Sequence, residues 1–166
     1  MFRLTFLTGL LFSASALAQQ VCPSGNLRNA PDSRYVTAAD ATVRDSQTNL
    51  IWKRCSEGQS GPSCAGTAST HTWATALQLA SNSTFAGFSD WRLPSSKELQ
   101  TLPEYGCYSP SINLTVFPNT PSNGFWSSTS CADLAFAAWY VFFNNGNLDG
   151  AFKTLTNRVR LVRGGQ

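Results

Sequence analysis

The chain has 166 residues, of which 42% are hydrophobic, 12% aromatic and only 13% charged, with a formal net charge of +3. Such a composition excludes a disordered tail, and so sparse a charge gives little long-range field. The total is too weak to argue for nucleic acid, and the length suits one domain with a real core.

The first eighteen residues read as an export signal. Arg3 supplies a positive start, Leu4 to Phe12 a short apolar stretch, and Ala16-Leu17-Ala18 a small-residue cleavage site. The stretch is too short for a comfortable membrane span. The expected mature chain begins at Gln19 and has no transmembrane segment after signal removal. Its expected destination is the periplasm, the medium or the cell surface. Cys22 comes too late after the cleavage site to take a lipid anchor.

Residues 19–41 are expected to form a polar N-terminal arm, followed by one domain over 42–166. Thr42 to Arg44 and Leu50 to Arg54 read as short strands around the turn Ser46-Gln47-Thr48-Asn49. Five cysteines in an exported chain point to disulfides. Cys55 and Cys64 bracket a Gly/Ser/Pro loop and are the easiest pair to close, worth roughly 2–3 kcal/mol in the chain-entropy picture. Cys22–Cys107 is the favoured second bridge, tying the arm to the core and leaving Cys131 as a buried or free thiol. Cys107–Cys131 is the rival pairing. No C-x-x-C occurs and His71 is the single histidine, so no metal site or cofactor is expected.

Trp73, Ala76, Leu77 and Ala80 recur at helical spacing, which predicts a helix over Thr72 to Ala80 with Thr72 as its cap. Ser95-Ser96-Lys97-Glu98 is a capping box opening a second helix, which buries Leu99 and Leu102 and stops at Pro103. Tyr105 to Gly124 lacks periodicity and reads as a loop pinned by Tyr108, Ile112, Leu114, Val116 and Phe117. Strands follow at Phe125 to Thr129 and Ala137 to Phe143, then an Asn145-Gly146 hairpin turn. Ala151 to Thr154 and Arg158 to Arg163 complete the series. Helices early and an antiparallel meander late give the class α+β. In the last strand Arg158 and Arg160 fall on one side of the pleat, with Val159 and Leu161 on the other.

Several strings carry a resemblance: Leu50-Ile51-Trp52-Lys53-Arg54-Cys55, Gly87 to Pro94, Lys97-Glu98-Leu99, Phe125-Trp126-Ser127-Ser128, Trp139-Tyr140-Val141 and the terminal Val159 to Gln166. In this order they resemble the Lcl C-terminal-like domain, a family of unknown function named for the end of a bacterial collagen-like adhesin. That family is similar to C-type-lectin-like and sulfatase-modifying-factor folds. The resemblance implies two helices packed on a twisted antiparallel sheet, with the C-terminal strand near the N-terminal strand. The chain departs from the family at Ala38 to Thr42, which offers fewer oxygen ligands than the usual turn, and at Cys131.

Two clusters are candidate ligand sites. Lys153, Arg158, Arg160 and Arg163 crowd the C-terminal end and suit sulfate or carboxylate groups. An ion pair from Arg160 to Asp90 or Asp45 is the alternative. Asp90, Trp91 and Arg92 suit a sugar platform, and the plainer reading is a structural corner with Trp91 in the core. Trp52, Trp126 and Trp139 are core candidates. Asn144 to Gly150 lacks the carboxylates for tight calcium binding. No G-x-S-x-G, H-E-x-x-H or phosphate loop occurs, and no catalytic residue is assigned. The cysteine pair of the sulfatase-modifying relatives has no counterpart in the late sheet. The expected role is therefore non-enzymatic: an exported binding or adhesion module, taking a sulfated or acidic glycan. The alternative is a structural or protein-interaction component of the cell envelope.

Overall fold

The computed structural model describes residues 19–164, so the expected signal at residues 1–18 lies outside the described residues. Among the described residues, nine strands form two sheets, accompanied by two α-helices. The first sheet joins β1 (Tyr35–Thr37), β2 (Thr42–Asp45), β3 (Ile51–Lys53) and β9 (Val162–Arg163), in that order and antiparallel throughout. The second has the order β4 (Thr70–His71), β8 (Asn157–Arg158), β5 (Gly124–Ser130), β6 (Ala137–Phe142), β7 (Asn147–Phe152). It is antiparallel except where β8 meets β5 in parallel, Phe125 beside Arg158. The expected single sheet is thus two. The expected class, α+β, holds.

Helix α1 (Trp73–Ser81) starts where its apolar spacing starts, and the Thr72 side chain accepts from the Thr75 amide. Helix α2 (Ser96–Leu99) has the full capping box: Ser95 accepts from the Glu98 amide, and Glu98 accepts from the Ser95 amide. It is shorter than expected. After Leu99 the chain tightens, with Leu102 N–H donating to the Leu99 carbonyl at 3.2 Å just before Pro103. Strand β7 begins at Asn147, four residues ahead of the expected Ala151, because the turn at Asn145-Gly146 feeds straight into pairing with β6.

The arm is anchored at several points. Cys22 and Cys107 are bridged, as are Cys55 and Cys64, and Cys131 is free and buried. Glu104, fully buried, accepts from the Asn29 amide at 3.2 Å and the Ala30 amide at 2.9 Å. Residues 35–37, placed at the end of the arm by sequence, form β1 at the edge of the first sheet. Two apolar clusters fill the interior. One gathers Trp52, Leu99, Phe117, Phe125 and Phe143; the other gathers Ala76, Trp91, Leu93, Trp126, Val159 and Leu161.

The terminal strand is where expectation and structure differ most. It is not one ribbon but two short strands in different sheets, β8 and β9. Val159, Arg160 and Leu161 cross between them, all buried. The alternation itself survives. Val159 and Leu161 enter one apolar cluster, while the Arg160 guanidinium lies over Phe117 and Phe125 of the other, at 4.8 and 5.9 Å from the ring centres. Both sides of the pleat are interior.

Candidate functional site

Arg160 is 0% exposed and cannot meet a ligand. One guanidinium nitrogen donates to the Lys53 carbonyl at 3.0 Å and to the Arg54 carbonyl. The other donates to Thr120 Oγ1 at 2.7 Å and Ser56 Oγ at 3.2 Å. Burial pulls its pKa down to about 9, partly offset by the charge of Glu57, so it stays cationic at neutral pH. Its partners are carbonyls and hydroxyls, not the expected Asp90 or Asp45. It is a structural tie between the terminal crossing, the strand β3 and the loop after Phe117.

The remaining cations are dispersed. Arg163 donates to Asp90 at 2.7 Å and lies 3.8 Å from the Phe88 ring centre. That bond holds the Asp90 carboxyl below its ordinary pKa. Arg92 grips Glu98 with two bonds of 2.8 and 2.7 Å and also donates to the Gly164 carbonyl. Lys153 donates to the Ala135 carbonyl at 2.7 Å and sits 4.3 Å from the Trp73 ring centre. Arg158 is half-buried in β8, its Nε without a partner. Among the described residues, each of Lys153, Arg160 and Arg163 donates to a different partner.

Trp91 is 2% exposed, its indole donating to the Phe85 carbonyl at 2.8 Å with the Phe85 ring set edge-on at 5.7 Å. It has no face left for a sugar. Arg92 pairs with Val162 as a backbone bridge, so Asp90-Trp91-Arg92 is a corner that clamps β9 to α2. Cys64 is spent in a disulfide, and His71 Nε2 meets Ser69 Oγ at 2.8 Å. Among the described residues, no group of three or more His, Cys, Asp or Glu converges as a metal cage.

A different surface gathers exposed apolar side chains. The connection from β5 to β6 runs back over the β6–β7 pair and encloses a groove of about 800 Å3. In register, Ala137 faces Phe152 and Trp139 faces Gly150. Gly150 has no side chain to cover Trp139, and a Cβ there would stand 3.3 Å from Cys131 Sγ. Trp139 is therefore only partly buried. The indoles of Trp73, Trp91 and Trp126 each donate to a backbone carbonyl. The indole of Trp139 makes no such bond among the described residues. Phe136 tilts against Phe152 with ring centres 5.5 Å apart, and Leu134 and Leu155 stand nearby. All four are between 48% and 58% exposed. Such a contiguous apolar patch marks a contact surface more than scattered surface hydrophobics do. Thr129, Ser130, Asp133 and Asp149 add hydroxyls and carboxylates to its lining.

Sequence reasoning placed Trp139 in the core because a strand tryptophan normally packs there. The only signal for its exposure is Gly150, whose position opposite Trp139 depends on the register. That register follows from a four-residue turn between Phe142 and Asn147, which composition alone does not count.

No curated protein matches the chain. The family model described as the Lcl C-terminal domain matches residues 41–163, a span that contains both sheets from β2 to β9. The chain belongs to the Lcl C-terminal domain family.

Proposed function

We propose that the chain is an exported binding or adhesion module of the bacterial envelope, working without catalysis and recognising a glycan on a C-type-lectin-like scaffold. Family membership supports a surface- or adhesion-associated role. Two disulfides, with no described helix long and apolar enough to cross a membrane, fit an extracellular or periplasmic setting. The scaffold reading draws on β9, which pairs with β3 near the start of the family span. The observation that carries the binding role is the exposed aromatic groove of β6 and β7.

The sulfated or acidic glycan version leaned on the C-terminal cations. It retains only Lys153 and Arg158, because Arg160 is buried and Arg163 is paired to Asp90. The test has two arms. Fractionation of producing cells should recover a chain beginning at Gln19 outside the cytoplasm, and recovery of Met1 in the cytoplasm would refute export. Labelled mature protein should bind intact bacterial cells or envelope polysaccharide, and no binding to either would refute the module. The envelope-component reading is favoured by one feature, the apolar group Leu134, Phe136, Phe152 and Leu155. Co-purification of one stoichiometric envelope protein, lost on Phe136→Ser, would select it.

A further inference from the structure

We infer that the β6–β7 groove takes a neutral saccharide, seated on Trp139 and Phe152. The inference rests on the module reading above and names its ligand class. Charge comes first. The lining carries two carboxylates, Asp133 and Asp149, and no cationic side chain. A sulfated or uronic ligand would be repelled there, while hydroxyl groups would find acceptors.

Shape and polarity point the same way. A sugar ring offers an apolar C–H face and an equatorial belt of hydroxyls. The groove offers aromatic surface at Trp139 and Phe152, the Ser130 hydroxyl, and the Trp139 indole N–H, which makes no hydrogen bond among the described residues. Aromatic residues with one wet end suit a ligand that is apolar on one side and polar on the other.

Pairing by an added strand is disfavoured. Strand β7 is the edge of its sheet. The Lys153 amide donates inward to the Phe136 carbonyl at 2.9 Å, so Gly150 and Phe152 carry outward-facing backbone groups. Two of these are already engaged, one on each residue. Asp149 Oδ1 accepts from the Gly150 amide at 2.7 Å, and the Phe152 carbonyl accepts from Leu155 at 2.9 Å. A peptide strand or a second copy of this chain would have to displace both, whereas a saccharide uses the side chains and leaves the edge as it is.

The experiment is affinity electrophoresis of the mature protein in gels containing dextran, galactomannan, hydroxyethylcellulose or heparin. At least one neutral polymer should retard it and heparin should not. Trp139→Ala should weaken retardation about tenfold or more, and Phe152→Ala, which lies outside the core, should do so even if Trp139→Ala fails to fold. Arg163→Ala should leave it unchanged. No retardation by any neutral polymer, or retardation indifferent to Phe152→Ala, overturns the inference. Cell binding that persists in that event leaves the module standing with another ligand, and loss of both removes the module as well.

Discussion

Arg160 brings a cation inside without a carboxylate to meet it. Four oxygens accept from its two terminal nitrogens, and the guanidinium carbon lies 4.8 Å from the Phe117 ring centre and 5.9 Å from that of Phe125. A guanidinium tolerates this because it is weakly hydrated and its fork reaches several acceptors at once. Replacing it with methionine keeps the stem but takes away the donor to the carbonyls of Lys53 and Arg54 and the hydroxyls of Ser56 and Thr120. Removing the desolvated charge repays part of that loss. The expected net cost is about 2–4 kcal/mol, read as a lower midpoint in guanidinium unfolding. Arg160→Lys should recover little, since an ammonium neither forks nor stacks as a guanidinium does. Equal stability of Arg160→Met and the parent would contradict the structural role assigned here. The sequence showed the alternation Arg158, Val159, Arg160, Leu161, and that alternation is real. What it did not show is that both sides are covered, because coverage depends on Phe117, forty-three residues earlier, and on a second sheet. The same limit applies to Trp91 and Trp139. Both look alike in the sequence, yet one donates its indole to Phe85 and the other faces a glycine.

At the scale of elements, the first sheet is stapled at its edge by Arg34 and Asp45. Arg34 Nε donates to Asp45 Oδ1 at 2.8 Å, and both side chains are almost wholly buried. Asp45 also closes the turn between β2 and β3, accepting from the Gln47 amide at 3.0 Å and from Thr48 Oγ1 at 2.8 Å. Burial on its own would raise the Asp45 pKa. The bonds from Arg34, Thr48 and Gln47 overcome that and hold it below the ordinary carboxylate value. The folded state therefore binds this proton less readily than the unfolded chain. Its stabilisation is complete above the unfolded value of about 3.9 and is lost as pH falls through the lower folded pKa. Asp45→Asn should cost about 3–5 kcal/mol at neutral pH, because it leaves Arg34 buried without its counter-charge. It should also flatten the acid limb of the stability curve below about pH 4. Urea midpoints measured across that range would show it; parallel curves for parent and variant would contradict it. The two strands and their turn were visible in the sequence through alternation and turn residues. The staple was not, since Arg34 sits in the stretch read as a polar arm.

The whole molecule is held together by a segment that belongs to both sheets. Strand β8 lies between β4 and β5 of one, and β9 lies beside β3 of the other. Between them the Val159 carbonyl accepts from Glu57 at 3.0 Å and the Leu161 carbonyl accepts from Lys53 at 3.0 Å. Neither sheet can therefore lose its order without exposing Val159, Arg160 and Leu161, which both clusters need. The Cys22–Cys107 bridge adds a constraint across 85 residues, so the arm is tied to the loop before β5. Cooperative unfolding is the expected consequence: tryptophan fluorescence and far-ultraviolet circular dichroism should give coincident transitions in guanidinium. Strand β9, two residues long, carries the crossing into the first sheet. Val162→Asp places a charge in the cluster that contains Trp52, and should shift both probes together by several kcal/mol. If instead one probe moved and the other stayed, the sheets would be independent units and the crossing segment a passive connection. The groove at β6 and β7 lies on the sheet edge farthest from this crossing in strand order, so its Phe152→Ala variant should leave the transition nearly unchanged. That separation lets the fold and the binding face be tested by different substitutions in one chain.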